Sequence, residues 1–395
     1  MNSLRDEIKF LFSGQGMPYE KVCIMVAMVI SVVLSVLLSG NFGKDVEVVV
    51  IDLDNSAYSR DLTNRIDASE YMQVTAVLNT PVDPKELMYR DQAYAVVYFP
   101  QGLEKDRYTG VETNIGVFYD TTNPATTSNI KVALNEIVGM DNAVAMGDTG
   151  STNDTLMGSL SLADRILFNP QESTSNATTM NFLFFFGAMF FTFATIGMIP
   201  RLRLTGQLDK TLMEGTPWDI IQRLLPYAGC LIVSWVVGLA VLRLWGDLNF
   251  SGHLVTFLFL EIFVVMVVGM LSLLFGWTAA NPGIASSRMI LFIPGGFILG
   301  GPTGPVTSFQ DWVVTLSHVF PLTWEFHFTR DIISRGAGLL DITQEIGAFM
   351  LYMGCVLLLF CWRFYSAKKA AQKRLENADE HQHKLDKLAA EIVSK

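Results

Sequence analysis

The chain has 395 residues, half of them hydrophobic and only 17% charged, with a formal net charge of −10 and a mean hydropathy of +0.35. That apolar content excludes an ordinary soluble domain, and a pI near 5.0 excludes a nucleic-acid partner, because phosphate binding needs a basic surface. The charge is uneven: residues 44–172 carry nine basic and twenty acidic side chains, net −11, and the remainder sums to +1.

In chain order, residues 2–12 form an amphipathic pattern. Leu4, Ile8, Leu11 and Phe12 lie on one side, and Arg5, Asp6, Glu7 and Lys9 on the other. Residues 1–21 are either an interfacial helix on the inner membrane surface or a frayed terminus. Residues 22–40 are an apolar run long enough to cross about 30 Å of hydrocarbon. They lack a small-residue cleavage site and read as a retained first span. An inserted domain follows over 44–179. Strands are predicted at 46–53, 72–78, 94–99 and 114–119, and helices at 58–68, 84–92 and 126–146. That alternation predicts an α/β (mixed) domain. Asp52 and Asp54 at a strand end, followed by Asn55 and Ser56, read as turn formers rather than an acid/base pair. Sequons at Asn153 and Asn176 are chance-level patterns.

Five further apolar runs follow, at 180–199, 224–245, 254–277, 289–301 and 346–362, so the fold expected is an α-helical polytopic membrane protein with six transmembrane helices. Between the second and third spans, residues 201–223 are polar. Residues 207–214 read as a two-turn helix closed by Gly215 in a left-handed conformation. Thr216 then caps a second helix, with Pro217 at its first position and Asp219 completing a capping box. Helix, break and helix make a rigid lever.

Arg5, Lys9 and Lys21, then Arg201, Arg203, Lys210 and Arg223, then Arg288, and finally Arg363, Lys368, Lys369, Lys373 and Arg374 fall on one side if six spans alternate. The positive-inside rule makes that side the cytoplasm. Both termini are then cytoplasmic, 44–179 is extracytoplasmic, and 366–395 is a cytoplasmic helical tail. Trp245, Trp277 and Trp362 sit at span ends, as an interfacial belt requires. The fifth run is interrupted by Pro294-Gly295-Gly296 and ended by Gly300, Gly301, Pro302 and Pro305. A short amphipathic stretch containing Trp312 follows, then Pro321 and Thr323. Irregular backbone at membrane depth needs protein or water to satisfy it, so 300–336 is expected to be re-entrant in the outer leaflet, with a flexible outer loop as the alternative.

Two charges fall inside spans. Glu261 lies about 10 Å below the outer end of the fourth span, and Arg243 lies just inside the outer end of the third. They form either an ion pair stapling a hairpin or part of a substrate or proton path. No G-x-x-x-x-G-K-[ST] occurs, so this chain has no P-loop for ATP. The five histidines form no spaced metal-ligand set, and no G-x-S-x-G is present. The four cysteines all fall in apolar runs, leaving the insertion without a disulfide framework. No catalytic, metal or cofactor site is expected.

Three places carry a resemblance. VVVIDLDNSAYSR at 48–60 and YAVVYFPQGLEKD at 94–106 are similar to "v-D-x-D-n-S…S-r" and "a-v-i-x-I-P-x-g-F" stretches. Gly206-Gln207-Leu208-Asp209 and Glu214-Gly215-Thr216-Pro217 resemble an E-x-G-T-L-E preceding a T-P, with Gln207 where the pattern has threonine. Residues 294–336 resemble a Pro-interrupted fifth span, re-entrant helices, "P-l-T" and an "R-x-i-x-x-G" ending. Together these touch nearly the full length. The chain resembles the permease subunit of a type-2 ABC exporter with a large extracytoplasmic domain after its first span.

The resemblance implies a bacterial inner-membrane protein that pairs with a second copy or a paralogue, joined by two separate ATPase subunits that bind ATP and magnesium. It implies a coupling role for Gln207, Leu208, Asp209, Lys210, Glu214, Gly215, Thr216, Pro217 and Trp218, and a re-entrant gate at Pro294, Gly300, Gly301, Pro302, Pro305, Trp312, Pro321 and Thr323. It also implies export of an amphipathic or hydrophobic drug, lipid or polymer. The acidic outer domain is either a solubility feature or a surface for cationic amphiphiles or a basic periplasmic adaptor. The competing reading is a membrane-anchored interaction protein whose outer domain binds a partner without transport. An ion-driven transporter is disfavoured by the scarcity of ionisable groups in the spans.

Overall fold

A computed structural model describes residues 45–147, 157–168, 174–245, 248–302 and 310–393. The interfacial helix and first span expected at 1–21 and 22–40, and Pro305, lie outside these residues. The chain divides into two compact units, and each is described by itself.

The first unit contains a five-stranded mixed sheet ordered β2-β1-β3-β4-β5. Its strands are β1 (Val46–Asp52), β2 (Met72–Leu78), β3 (Ala95–Phe99), β4 (Thr113–Asp120) and β5 (Leu160–Phe168). β1 pairs in parallel with both β2 and β3, β3 meets β4 antiparallel, and β4 runs parallel with β5. A strand covered on both faces needs a continuous apolar run, and VEVVVID supplies one. Val46, Val48 and Val50 point to one core, packed with Leu62, Ile66, Leu134 and Val138. Val49 and Ile51 point to the other, with Met88 and Phe168. Helices α1 (Ala57–Asp67) and α4 (Pro124–Gly147) contribute to the first core, and α2 (Pro84–Met88) supplies Met88 to the second.

Two elements escape the sequence pattern. α3 (Leu103–Tyr108) and β5 are too charged to announce themselves, β5 carrying exposed Asp164 and Arg165 mid-strand. Asp52 and Asp54 are loop braces. Asp52 accepts from the Ser59 hydroxyl at 2.7 Å, and Asp54 accepts from the backbone N–H groups of Gly102 and Glu104 at 2.8 and 3.0 Å.

Beyond the sheet the chain is helical. α5 (Thr174–Ile196) and α6 (Met198–Leu204) lead into α7 (Gln207–Glu214) and α8 (Pro217–Ile221). α9 (Leu225–Trp245), α10 (Leu254–Gly276), α11 (Pro282–Ser287) and α12 (Ile293–Leu299) follow, then α13 (Asp311–Ser317), α14 (Pro321–Phe328) and α15 (Thr343–Val393). Among the described residues four stretches are long and apolar enough to cross a membrane: Thr178–Leu204, Pro217–Trp245, Leu254–Gly276 and Thr343–Asn377. The run at 289–301 is broken into a 3₁₀ turn (Arg288–Leu291) and the seven-residue α12.

In the second unit α5 and α10 approach closely where Gly276 faces the Ile196 carbonyl. A Cβ at Gly276 would lie 1.9 Å from that oxygen. Gly276→Ala is therefore expected to cost about 1–3 kcal/mol through overpacking, lowering the thermal midpoint in detergent. Gly354→Ala, which meets nothing within 4 Å, is expected to leave the midpoint unchanged or raise it, since alanine is the better helix residue by about 0.5–1 kcal/mol.

Candidate functional site

Within the first unit the most concentrated chemistry is a buried ionic network. A π-helical segment, Thr329–Arg335, continues α14 and ends at Gly336, whose φ of 75° closes it. Hydrogen bonds running i to i+5 widen the turn, which brings residues five apart onto one face. Arg330 and Arg335 are such a pair, and both reach Asp91. Arg335, whose side chain is 0% exposed, donates from Nη2 to Asp91 at 2.5 Å and to Asp120 at 2.6 Å. It also donates from Nε to Asp120 at 2.8 Å and from Nη1 to Asp331 at 2.6 Å. Arg330 donates to Asp91 and to the Gly301 carbonyl, both at 2.8 Å. His327 Nδ1 lies 2.9 Å from Glu345, and Arg90 donates to Gln344 at 2.8 Å.

The sheet domain supplies two of the acceptors. Asp120 ends β4, and Asp91 ends a 3₁₀ turn (Tyr89–Asp91) after α2. Arg90 and Asp91 both take left-handed backbone conformations, with φ of 61° and 54°. Such positions cost about 1–3 kcal/mol each and persist only where the surroundings over-determine them. Here the two arginines hold the Asp91 carboxylate, and the Arg90 N–H donates to Asp331 at 3.3 Å.

Four carboxyl groups (Asp91, Asp120, Asp331 and Glu345) face two guanidiniums and one imidazole. A charged His327 and a single carboxyl proton make the set neutral. Burial pushes the Asp331 carboxyl up to about 7, against the pull of Arg335. Burial opposes ionisation of Asp91 too, but Arg330 and Arg335 outweigh it and hold that carboxyl well below the usual range. Burial works against a charged His327, yet its hydrogen bond to Glu345 raises it above 6.5. Of these carboxyl groups, Asp331 is the one whose protonated form burial favours. Its Oδ2 and the Glu345 Oε2 are both buried without a partner among the described residues, which suits a shared carboxyl proton.

Sequence reasoning missed Asp91, Asp120, His327 and Glu345, and touched Arg330 and Arg335 only through the "R-x-i-x-x-G" likeness. The available signal was a pair of arginines five apart in a segment ended by glycine. Helical periodicity of 3.6 puts those arginines on different faces, so it hides them.

The residues expected to form a re-entrant gate lie nearby in sequence. In the first unit, a Cβ on Gly300 would crowd the ring of Phe326 at 2.8 Å and the Thr323 backbone at 3.2 Å. Gly301 has a φ of 73°, and the Pro302 carbonyl accepts from Asn181 at 2.6 Å. Thr323 is buried and donates to the Ser317 carbonyl at 2.5 Å. Pro321 is buried at the first position of α14, and Pro294 sits inside α12. Trp312 is 54% exposed.

In the second unit, α6, α7 and α8 make a folded platform between two spans. Leu208, Leu212, Pro217 and Ile220 are buried, whereas Gln207, Asp209, Lys210, Glu214 and Thr216 are exposed, and Trp218 is 57% exposed. Asp219 accepts from the Thr216 backbone N–H at 2.7 Å and its hydroxyl at 2.9 Å, making the T-x-x-D cap. The left-handed conformation expected at Gly215 is corrected. Its φ is −101° and ψ −175°, while Gly206 before α7 takes a φ of 70°. Glycine is needed at 215 for close approach, since a Cβ there would lie 2.6 Å from the Thr211 carbonyl. Arg203 ties the platform to the end of α10, donating to the Trp277 and Ala279 carbonyls at 2.5 and 2.8 Å.

Of the two charges within spans, Arg243 donates to the Leu248 carbonyl at 3.1 Å. Glu261 is buried, and neither of its carboxylate oxygens has a hydrogen-bond partner among the described residues. Those residues contain no group of three or more His, Cys, Asp or Glu side chains placed to hold a metal.

Apolar helices of spanning length, with a mixed sheet domain and a surface platform between two of them, mark a multi-pass membrane protein. The family described as ABC-2 family transporter protein matches residues 22–362; the chain belongs to that family, and a permease role follows. No curated protein and no solved structure matches the chain.

Two outcomes test the ionic network. Arg335→Gln strands three buried carboxyl groups, and breaking a buried pair costs about 3–5 kcal/mol. Folded, monodisperse protein should be lost on gel filtration, while Asp331→Asn is tolerated. The second outcome is a pH profile. Asp331 is raised from 3.8 to about 7 in the folded state, so its contribution is complete below 3.8 and lost as pH rises through 7. His327, raised above 6.5, loses its contribution on further rise. Asp91 is depressed, so its contribution holds above 3.8 and is lost as pH falls. The thermal midpoint should peak in the weakly acidic range and fall on alkalinisation, with a flatter fall in Asp331→Asn.

Proposed function

We propose that the chain is the transmembrane permease subunit of an ATP-driven exporter, moving an amphipathic or hydrophobic substrate out of the cytoplasm or inner membrane. Six spans cross the membrane, with the first at 22–40 and the fifth broken around Pro294. Residues 44–179 form the extracytoplasmic domain, and both termini are cytoplasmic. A second copy or a paralogue completes the pathway, and separate ATPase subunits supply the force.

The observation that carries the reading is the platform of α7 and α8. Its apolar side is buried, and its outer side offers Asp209, Lys210, Glu214 and Trp218 between two spanning helices. A rigid, capped helix pair with an exposed tryptophan fits a protein partner, since tryptophan anchors are favoured hot spots. The absence of a P-loop in this sequence makes that partner the source of ATP hydrolysis. Gly300, Gly301, Pro302, Pro321 and Thr323 act as the re-entrant gate at the outer leaflet. Glu261 faces the protein interior of its span, as a substrate-path or proton-handling group would.

Copurification tests the reading. A protein with a Walker A motif should accompany the wild-type chain, and Lys210→Glu combined with Trp218→Asp should weaken that association about tenfold or more without loss of folded permease. Absence of an ATPase would favour a membrane-anchored binding protein instead. Labelling of a cysteine at position 210 from outside intact cells would invert the topology and overturn the proposal.

A further inference from the structure

The second unit contains a cleft of about 490 Å³ that adjoins the proposed coupling surface and shares Leu208 and Asp209 with it. Arg203, Arg363 and Arg374 line it, with Asp209 as the one acidic side chain among the lining residues. Its floor is apolar and narrow: Leu208 and Leu212 come from α7, and Ala367, Ala370 and Ala371 from α15. Arg363 and Arg374 are eleven residues apart, close to three full helical turns. They therefore flank the alanines on one stripe of α15, about 16 Å apart along the axis.

Depth is set by Trp277, which immediately follows the end of α10. Tryptophan at a span end marks headgroup level. The Arg363 guanidinium lies 5.6 Å over the Trp277 ring, so its charge is held at that level. Arg203 is at the last turn of its own span and is fixed by the α10-end carbonyls. The cleft is thus basic at headgroup depth and lined by apolar and small side chains.

We propose that this cleft binds an anionic phospholipid of the adjoining leaflet, its phosphate on Arg363 and Arg203 and the rest of its headgroup towards Arg374. Guanidinium matches phosphate oxygens two at a time, and basic pockets between transmembrane helices suit acidic headgroups. A free, fully hydrated phosphate would gain from the arginines but nothing from the leucine and alanine walls. A lipid uses both. Bound there, it lies against α7 and α15 together and links the proposed lever to the last span. The inference rests on the proposed orientation only for which leaflet supplies the lipid.

The test uses the full-length permease alone, without ATPase, in nanodiscs of phosphatidylcholine with or without phosphatidylglycerol. Phosphatidylglycerol should raise the wild-type thermal midpoint by several degrees and be retained in native mass spectrometry. Arg363→Gln with Arg374→Gln should lose both effects, with retention about tenfold weaker. Arg60→Gln, on the exposed surface of the sheet domain, should keep them. Ala370→Leu, which fills the floor and leaves every charge in place, should also lose retention and so guards against a misfolded double variant. Retention in the floor and arginine variants equal to that of the wild type overturns the proposal. So does a shift reproduced by inorganic phosphate in pure phosphatidylcholine, which would assign the cleft to a soluble anion. Failure here leaves the copurification result untouched, and loss of ATPase binding leaves this assay untouched.

Discussion

The constraint on which the first unit depends is the burial of Arg335. A guanidinium cannot shed its charge, so a fully buried one must find acceptors in every direction its five N–H groups point. Asp91, Asp120 and Asp331 accept from all three of its nitrogens and come from three different segments. That demand fixes where β4 stops, holds the turn after α2 in left-handed geometry, and requires a π-helical turn in place of an α-helical one. None of these three features is favourable by itself. Each is tolerable because the alternative is an unpaired charge in a dry environment, which is costlier by several kcal/mol.

An apolar contact between the sheet and the Thr329–Arg335 segment would have been the simpler way to gain stability, since buried ion pairs often contribute less than well-packed hydrocarbon. What the ionic arrangement adds is register. Hydrophobic surfaces tolerate sliding, whereas a guanidinium shared among three carboxyl groups has one geometry that satisfies it. The same segment is held again by the Ser251 N–H, which donates to the Ile333 carbonyl at 2.8 Å. Gly252 lies so close that a Cβ there would meet the Ile332 carbonyl at 2.1 Å. The loop after α9 is therefore tied to the same segment that grips the sheet, which gives the unit a defined joint.

Much of this was legible in the amino-acid order and some was not, for identifiable reasons. Long apolar runs stand out by composition, and strands such as VEVVVID by β-branched continuity, because both signals are local and strong. The Thr216–Asp219 cap was legible because its chemistry is complete within four residues. The ionic network was not, because Asp91 and Arg335 are 244 positions apart and nothing local distinguishes a buried arginine from a solvated one. β5 was hidden by Asp164 and Arg165, which face outward mid-strand. Gly215 was assigned the commoner reason for a glycine after a helix, positive φ, when the geometry required the less common one, room for the Thr211 carbonyl.

The buried charges of Arg335 and Glu261 differ in kind. Arg335 is densely paired: each of its three guanidinium nitrogens donates to a carboxyl group. Glu261 is the opposite, a carboxyl in a spanning helix whose oxygens have no hydrogen-bond partner among the described residues. A densely paired charge rigidifies its surroundings, because any displacement breaks several charge-assisted bonds at once. A carboxyl with spare acceptor capacity imposes no such geometry and keeps the capacity to take a proton or a donor. The first therefore belongs to the architecture, holding the sheet domain in register with the segment that follows α14. The second is a buried carboxyl that no hydrogen bond among the described residues holds in place.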